Sequence, residues 1–249
     1  MFDKHSFDGH IHVESDEMTP YTALSLIRRK GLKAALVDHV FSDRHRITPE
    51  NIKNDCREKY SDVAYIHGCE ADVYGDGLIA LPENMVPAMD FVMVSFTHFG
   101  QPGVIQDCHL DNLDKMAKRL LFLFEAAVNW PHTDVIGHPF AMPCNPEKAN
   151  EMVKFVDKDH LDSLLCLAAK RNILIEINAR TLRRMAVEPQ KFFIKRALEN
   201  GCSFSIGSDA HCLDEIGMTR EAWTLIDELH IPYEKITFPY RGWGRFEPQ

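Results

Sequence analysis

Asp8-Gly9-His10-Ile11-His12 ends the first strand-like run of this chain, and Ser208-Asp209-Ala210-His211 ends the last. Between them, Asp38-His39, Glu70, Thr97-His98 and Gly137-His138 close further apolar runs. Imidazole and carboxylate are the donors that hold zinc, iron and manganese. Residues two apart on a strand face the same side, so His10 and His12 can grip one ion, and Asp209 and His211 repeat the spacing. A single His-x-His arises readily by chance, and a single His after an apolar run is usually a satisfied core residue. Metal-type residues ending six separate strands are hard to reconcile with core packing. The pattern predicts a hydrolase with several metal ions.

Glu70 lies on a strand, after Tyr65-Ile66-His67-Gly68-Cys69. A buried Glu is costly unless it is paired or bound to metal. A carboxylate can bridge two ions, which an imidazole does not normally do, so Glu70 is the natural bridge. His5, His45, His67, His109, His132, His160 and His230 read as ordinary loop, helix or core histidines. Of these, His45 follows the His39 strand end and is placed to reach a bound substrate.

Strand and helix patterns alternate along the chain, which is how distant ligands can meet. Strand-like runs cover Phe7–His12, Ala34–Val40, Val63–Val73, Phe91–His98, Asp134–Phe140, Ile173–Ala179 and Ser203–Asp209. Helical patterns cover Pro20–Lys30, Pro49–Tyr60, Leu113–Trp130, Lys158–Arg171, Pro189–Asn200 and Thr219–Leu229. Thr19-Pro20 and Thr48-Pro49 are helix starts, and Gly31 and Gly201 stand where helices should stop. The connection Tyr74–Asp90 is Gly- and Pro-rich and reads as irregular. Seven strands joined by helix-length crossovers predict parallel α/β architecture in a single domain over residues 1–249. A barrel of βα units leads and a doubly wound open sheet is the alternative. In such a barrel the site forms at the carboxyl ends of the strands, where these ligands fall.

The bulk composition narrows the partners. With 28 basic and 37 acidic residues the formal charge is −9, and no basic run offers a track for nucleic acid. Bound divalent ions would offset that charge locally, so small anionic substrates stay compatible with a metal-lined pocket. No apolar run is long enough for a membrane helix, and no apolar signal core precedes the first strand. The expected compartment is the cytoplasm. The 7 cysteines form no CxxC pair and read as reduced thiols.

The ordered set of motifs resembles the PHP (polymerase and histidinol phosphatase) superfamily over nearly the whole chain. It rests on Asp8-Gly9-His10-Ile11-His12 with Ser15-Asp16, then Val37-Asp38-His39, Gly68-Cys69-Glu70, Thr97-His98, Gly137-His138-Pro139 and Gly207-Ser208-Asp209-Ala210-His211. The resemblance implies a distorted (β/α)7 barrel carrying two to three divalent ions, zinc, manganese or iron. It places His10, His12, Glu70 and Asp209 around one ion, and Glu70, His98 and His138 around a second. His39 and His211 would hold a third, completed by Asp16 or Glu17 from the segment after His12. Relatives often carry a His or Asp just beyond a Ser there, whereas this segment reads Glu14-Ser15-Asp16-Glu17-Met18.

The implied activity is hydrolysis of a small phosphomonoester by a hydroxide shared between two ions, with histidinol phosphate as the specific candidate. Glu70, Asp209, His98 and Arg180 form the expected catalytic set. Arg180, directly after the sixth strand, suits a phosphate fork, with Arg183 and His45 as further phosphate contacts. Two other functions use the same scaffold. One is amidohydrolase-like cleavage of C–N or C–O bonds, and the other is a polymerase-associated exonuclease or structural module. The acidic charge and single-domain length disfavour the latter.

Overall fold

This computed structural model describes residues 6–41, 56–99, 111–142 and 146–239. His45 and the Thr48-Pro49 helix start lie outside them; of the Pro49–Tyr60 pattern, Cys56–Lys59 is seen as helix. The sheet strands are β1 (Phe7–His12), β2 (Lys33–Val40), β3 (Tyr65–Asp72), β4 (Val92–Ser95), β5 (Val135–Ile136), β6 (Leu174–Asn178) and β7 (Ser203–Gly207). All neighbours pair in parallel, and strand order follows chain order. The edges return to each other. The His12 N–H donates to Ala210 O at 2.9 Å and the Asp209 N–H to His10 O at 2.9 Å, with a parallel bridge between Ile11 and Ala210. The architecture is a distorted (β/α)7 barrel.

Apolar strand runs produce this arrangement because helices cover the sheet. Leu120, Leu123, Phe124 and Ala127 of the helix Leu113–Asn129 are fully buried against it. Phe193 meets Phe124 edge-on with ring centroids 5.1 Å apart and Phe140 at a tilt 4.8 Å away, and each such burial contributes roughly 1.5–3 kcal/mol. The helix Pro20–Lys30 begins as its sequence predicts. The Thr19 side chain accepts from the Thr22 N–H, Pro20 takes the first turn, and Gly31 closes the helix at φ +65°.

Three segments depart from the sequence pattern. The fifth strand is regular only over Val135–Ile136, because His138 (φ +22°) and Phe140 (φ +57°) enter the left-handed region and cannot continue a ladder. Short helices at Ala179–Arg184 and Pro146–Met152 were not predicted, being too brief for a helical period to stand out. The helix expected at Pro189–Asn200 runs Val187–Glu199. Tyr74–Asp90 is irregular as predicted, with one 3-10 stretch at Glu83–Ala88.

Polar residues alternate with apolar ones on the strands that carry the site. Asp8, His10 and His12 of β1, Glu70 and Asp72 of β3, Glu176 and Asn178 of β6, and Ser205 of β7 are all buried. Two-residue spacing puts each set on one face, toward the barrel axis.

Candidate metal centre

The strand ends bring His10, His12, His39, Glu70, His98, His138, Asp209 and His211 to one mouth. His10 and His12 approach through Nε2 atoms 2.9 Å apart. Glu70, fully buried on β3, lies between the other ligands. Its Oε1 is 2.7 Å from His138 Nε2 and 3.8 Å from His98 Nε2, and accepts from the Ser95 hydroxyl. Its Oε2 faces His39 Nε2 at 3.2 Å, His12 Nε2 at 3.5 Å and His10 Nε2 at 3.6 Å. Asp209 Oδ1 is 3.4 Å from His12 Nε2 and 4.0 Å from His10 Nε2.

Among the described residues, three groups each have their donor atoms within 4.8 Å of one another: His10–His12–Glu70, His39–Glu70–His98 and His12–His39–His211. The partition implied by the resemblance differs: here His39 sits with Glu70 and His98 as well as with His211. Glu70 belongs to two groups, the position expected of a bridge.

Most of these imidazoles have the other ring nitrogen engaged. His10 Nδ1 is 2.8 Å from Glu176 Oε1, His98 Nδ1 is 2.9 Å from Asp72 Oδ1, and His138 Nδ1 is 3.0 Å from the Thr97 hydroxyl. His39 Nδ1 contacts the Glu14 carboxylate, and its backbone N–H donates to Glu14 Oε2 at 2.8 Å. His211 Nδ1 is 3.0 Å from Asp209 O. In His10, His39, His98 and His138 this leaves Nε2 facing Glu70, as at metal sites whose outer hydrogen bonds orient the ligands.

Two observations test whether the residues fit divalent ions. Glu70 Oε2 is buried with no hydrogen-bond partner, and so is His12 Nδ1. An ion beside Glu70 Oε2 would satisfy the first. The electrostatics also call for cations. Burial opposes charge on Glu70, yet His98, His138 and His10 hold its carboxyl well below the usual range. Burial likewise opposes charge on Asp209, and His10 and His12 outweigh it to lower the carboxyl. Burial opposes charge on His98, and Asp72 and Glu70 raise it to about 9. Burial and the neighbouring His12 lower His39 to about 3 and His211 to about 4, leaving both as neutral imidazoles, the form that ligates metal. Donor set and charge both fit divalent metal.

Backbone shape contributes as well. Asp209 is held at φ +57° and His138 at φ +22°, local strain of about 1–3 kcal/mol each that tertiary contacts must offset. A Cβ on Gly137 would stand 2.4 Å from Ser95 Oγ, so only glycine leaves room for the serine that supports Glu70.

Of the two candidates for the third-site carboxylate, the structure brings neither to the centre. Asp16 and Glu17 are exposed. The chain turns outward there: the Met18 N–H donates to Ser15 Oγ at 3.0 Å, and Glu17 O accepts from the Thr22 hydroxyl at 3.0 Å. Glu14 is the carboxylate of this segment that approaches the centre, touching His39 Nδ1 and lying 3.5 Å from His12 Nδ1, the outer nitrogens of those rings. Sequence reasoning also missed Asp8, Asp72, Thr97, Glu176 and Asn178. The two-residue spacing of Asp8 with His10, and of Asp72 with Glu70, was the available signal.

Arg180 lies at the mouth, with Nη1 2.7 Å from Glu215 Oε2 and 3.3 Å from Asp209 O. Arg183 Nη1 is 3.0 Å from Glu221 and 2.8 Å from Met218 O. Arg184 pairs with Glu215 at 2.7 Å.

No family model matches the chain. It is 28% identical over 188 residues to a "probable phosphatase" of Clostridium acetobutylicum, covering 74% of this chain and 67% of that protein. It is 26% identical over 200 residues to a "probable phosphatase" of Aliivibrio fischeri, covering 79% and 68%. It is also 26% identical over 213 residues to the DNA polymerase/3'-5' exonuclease PolX of Bacillus subtilis, spanning only 33% of that protein. Among solved structures it resembles histidinol phosphate phosphatase of Lactococcus lactis, complexed with zinc, L-histidinol and phosphate. The TM-score is 0.62 at 16% identity, over 90% of this chain and 94% of that one. At that identity the likeness is one of fold.

Proposed function

We propose that the chain is a metal-dependent phosphatase of small phosphomonoesters in the PHP superfamily, a reading that its ordered motifs and its phosphatase relatives support. The observation that carries this reading is Glu70, a buried carboxylate facing five imidazoles, with Arg180 nearby on the backbone oxygen of Asp209. His10, His12, His39, Glu70, His98, His138, Asp209 and His211 would hold two to three ions of zinc, manganese or iron, with Glu14 supporting His39. Such ions supply an acidified water and Lewis-acid stabilisation of phosphoryl oxygens.

The protein's own groups do the rest. Glu70 and Asp209 neutralise and position the cationic centre. Arg180 offers a planar fork to the non-bridging oxygens, and Glu215 limits where that fork can swing. Charge on those oxygens is redistributed in the transition state, so a fixed guanidinium contributes to turnover as well as binding. No serine or cysteine nucleophile is needed. The net charge of −9 favours small substrates over nucleic acid.

Histidinol phosphate is the first specific substrate to test. The Asn178–Leu182 and Gly207–His211 segments resemble that branch, and a protein of the same fold is a histidinol phosphate phosphatase. The test is a hydrolase panel on protein of measured metal content: histidinol phosphate, sugar phosphates, nucleotides, single-stranded DNA, amides and lactones. Cleavage of phosphomonoesters with inhibition by inorganic phosphate supports the proposal. Cleavage of amides or lactones alone, with no phosphate inhibition, transfers the site to amidohydrolase-like chemistry.

A further inference from the structure

Glu176 stands in β6, 1% exposed, and is in none of the three ligand groups. Three donors surround it. His10 Nδ1 is 2.8 Å from Oε1. The His138 backbone N–H, at 2.7 Å, and Asn178 Nδ2, at 3.1 Å, both donate to Oε2. The orientation of the Asn178 amide is fixed, since its Oδ1 accepts from the Thr181 N–H at 2.8 Å and the Thr181 hydroxyl at 3.0 Å. Gly207 supplies the space: a Cβ there would stand 2.4 Å from Glu176 Oε1 and 2.4 Å from His10 Cβ.

A carboxylate only accepts hydrogen bonds. The proton of a neutral His10 therefore belongs on Nδ1, which leaves the lone pair on Nε2, toward His12 and Glu70. We propose that Glu176 is a positioning residue that fixes the tautomer of His10 and so makes its Nε2 a metal donor. The inference rests on the metal reading of the centre, and not on the choice of substrate.

Glutamine at this position isolates the effect, because it keeps the shape and loses one acceptor. The two donors at Oε2 select the amide oxygen, which turns the amide NH2 toward His10 Nδ1. His10 can then satisfy the contact only by accepting, and its proton moves to Nε2, where it excludes an ion.

Zinc is the probe. In zinc-loaded wild-type protein labelled with 15N-histidine, with His10 assigned by the signals lost in His10→Asn, the ring proton is expected on Nδ1. For Glu176→Gln, competition with a chromophoric chelator should show zinc bound roughly 10–100-fold more weakly at one site, as for other outer-shell carboxylates. The His10 proton should then report from Nε2. Glu176→Gln protein that merely melts at lower temperature, with His10 tautomer and zinc affinity unchanged, overturns the proposal. If that variant does not fold, the wild-type spectrum decides: zinc on Nδ1 with the proton on Nε2 overturns it. A protein that binds zinc as expected but cleaves no phosphate ester removes the phosphatase reading and leaves this one standing. One that binds no zinc removes both.

Discussion

Replacing Glu70 with Gln tests the centre at its most connected point. The carboxylate is fully buried, with His138 and the Ser95 hydroxyl on one oxygen and His10, His12 and His39 within 3.6 Å of the other. Gln keeps the volume but presents an NH2 group to one of these faces and removes the anion between neighbouring cations. Opposite unit charges about 4 Å apart attract by ~4 kcal/mol at an effective dielectric constant near 20. That converts to roughly a thousandfold, at about 1.4 kcal/mol per factor of ten. Local relaxation and water access reduce it, so ~100-fold is the expected minimum fall in turnover, comparable with losing a main electrostatic group. One ion should be lost as well. The assays are elemental analysis of unchelated protein and turnover of a phosphomonoester at saturating metal. A Glu70→Gln protein with full metal content and near-normal turnover would refute the bridging assignment.

Other perturbations separate the remaining roles. Arg180→Ala should lower kcat/KM for a phosphomonoester by roughly 10–1000-fold, the worth of one charge-assisted contact of about 1.5–4 kcal/mol. Its metal content should be unchanged and its inhibition by phosphate weaker; unchanged kinetics would leave Arg180 as a structural partner of Glu215 and the Asp209 backbone. Glu14→Gln should weaken metal binding about 10–100-fold through loss of the His39 support, whereas Asp16→Asn and Glu17→Gln should leave it near the parent value. Equal losses in all three would return the third-site ligand to residue 16 or 17. In chelated protein, thermal stability should fall as pH rises from about 6.5 through 8 to 9. Burial opposes charge on both His98 and His12, but Asp72 and Glu70 raise His98 to about 9, and Asp209 and Glu14 raise His12 to about 8. Their folded-state protons contribute fully below the unfolded pKa near 6.5 and are lost as pH passes the raised values. Melting curves of metal-free protein that are flat or rising across that window would contradict the charge assignments.

The candidate ligands, which the structure brings to one mouth, were legible because strand ends punctuate the sequence. An apolar run closed by His or Glu gives both an address and a donor, and Glu70, His98 and His138 were read that way from one line of residues. Glu14 was not, because the carboxylates at 14, 16 and 17 are equivalent until the turn at Ser15–Met18 selects which one faces inward. Glu176 was hidden for a different reason. It lies inside its strand, where an isolated acid gives no hint that it meets a histidine 166 positions away. The short helix after β6 escaped because six residues are too few to show a period, although Asn178 caps it by accepting from the Thr181 N–H.

The candidate ligands and the residues that steady them come from different strands, and so the barrel's register shapes the centre. His10 of β1 is held by Glu176 of β6, over Gly207 of the intervening β7. His98 after β4 is held by Asp72 of β3, His138 after β5 by Thr97 after β4, and His39 of β2 by Glu14 after β1. Asp8 ties the two ends of the sheet by accepting from the Ser208 N–H at 2.9 Å and the Gly217 N–H at 2.7 Å. Strand register and ligand geometry are therefore one constraint. A slip of one residue in any of these strands would carry its buried charges to the apolar face, where neither metal nor partner could satisfy them. The interior acids and imidazoles would thus disfavour misregistered barrels, and divalent ions, by binding only the correct arrangement, would stabilise it further.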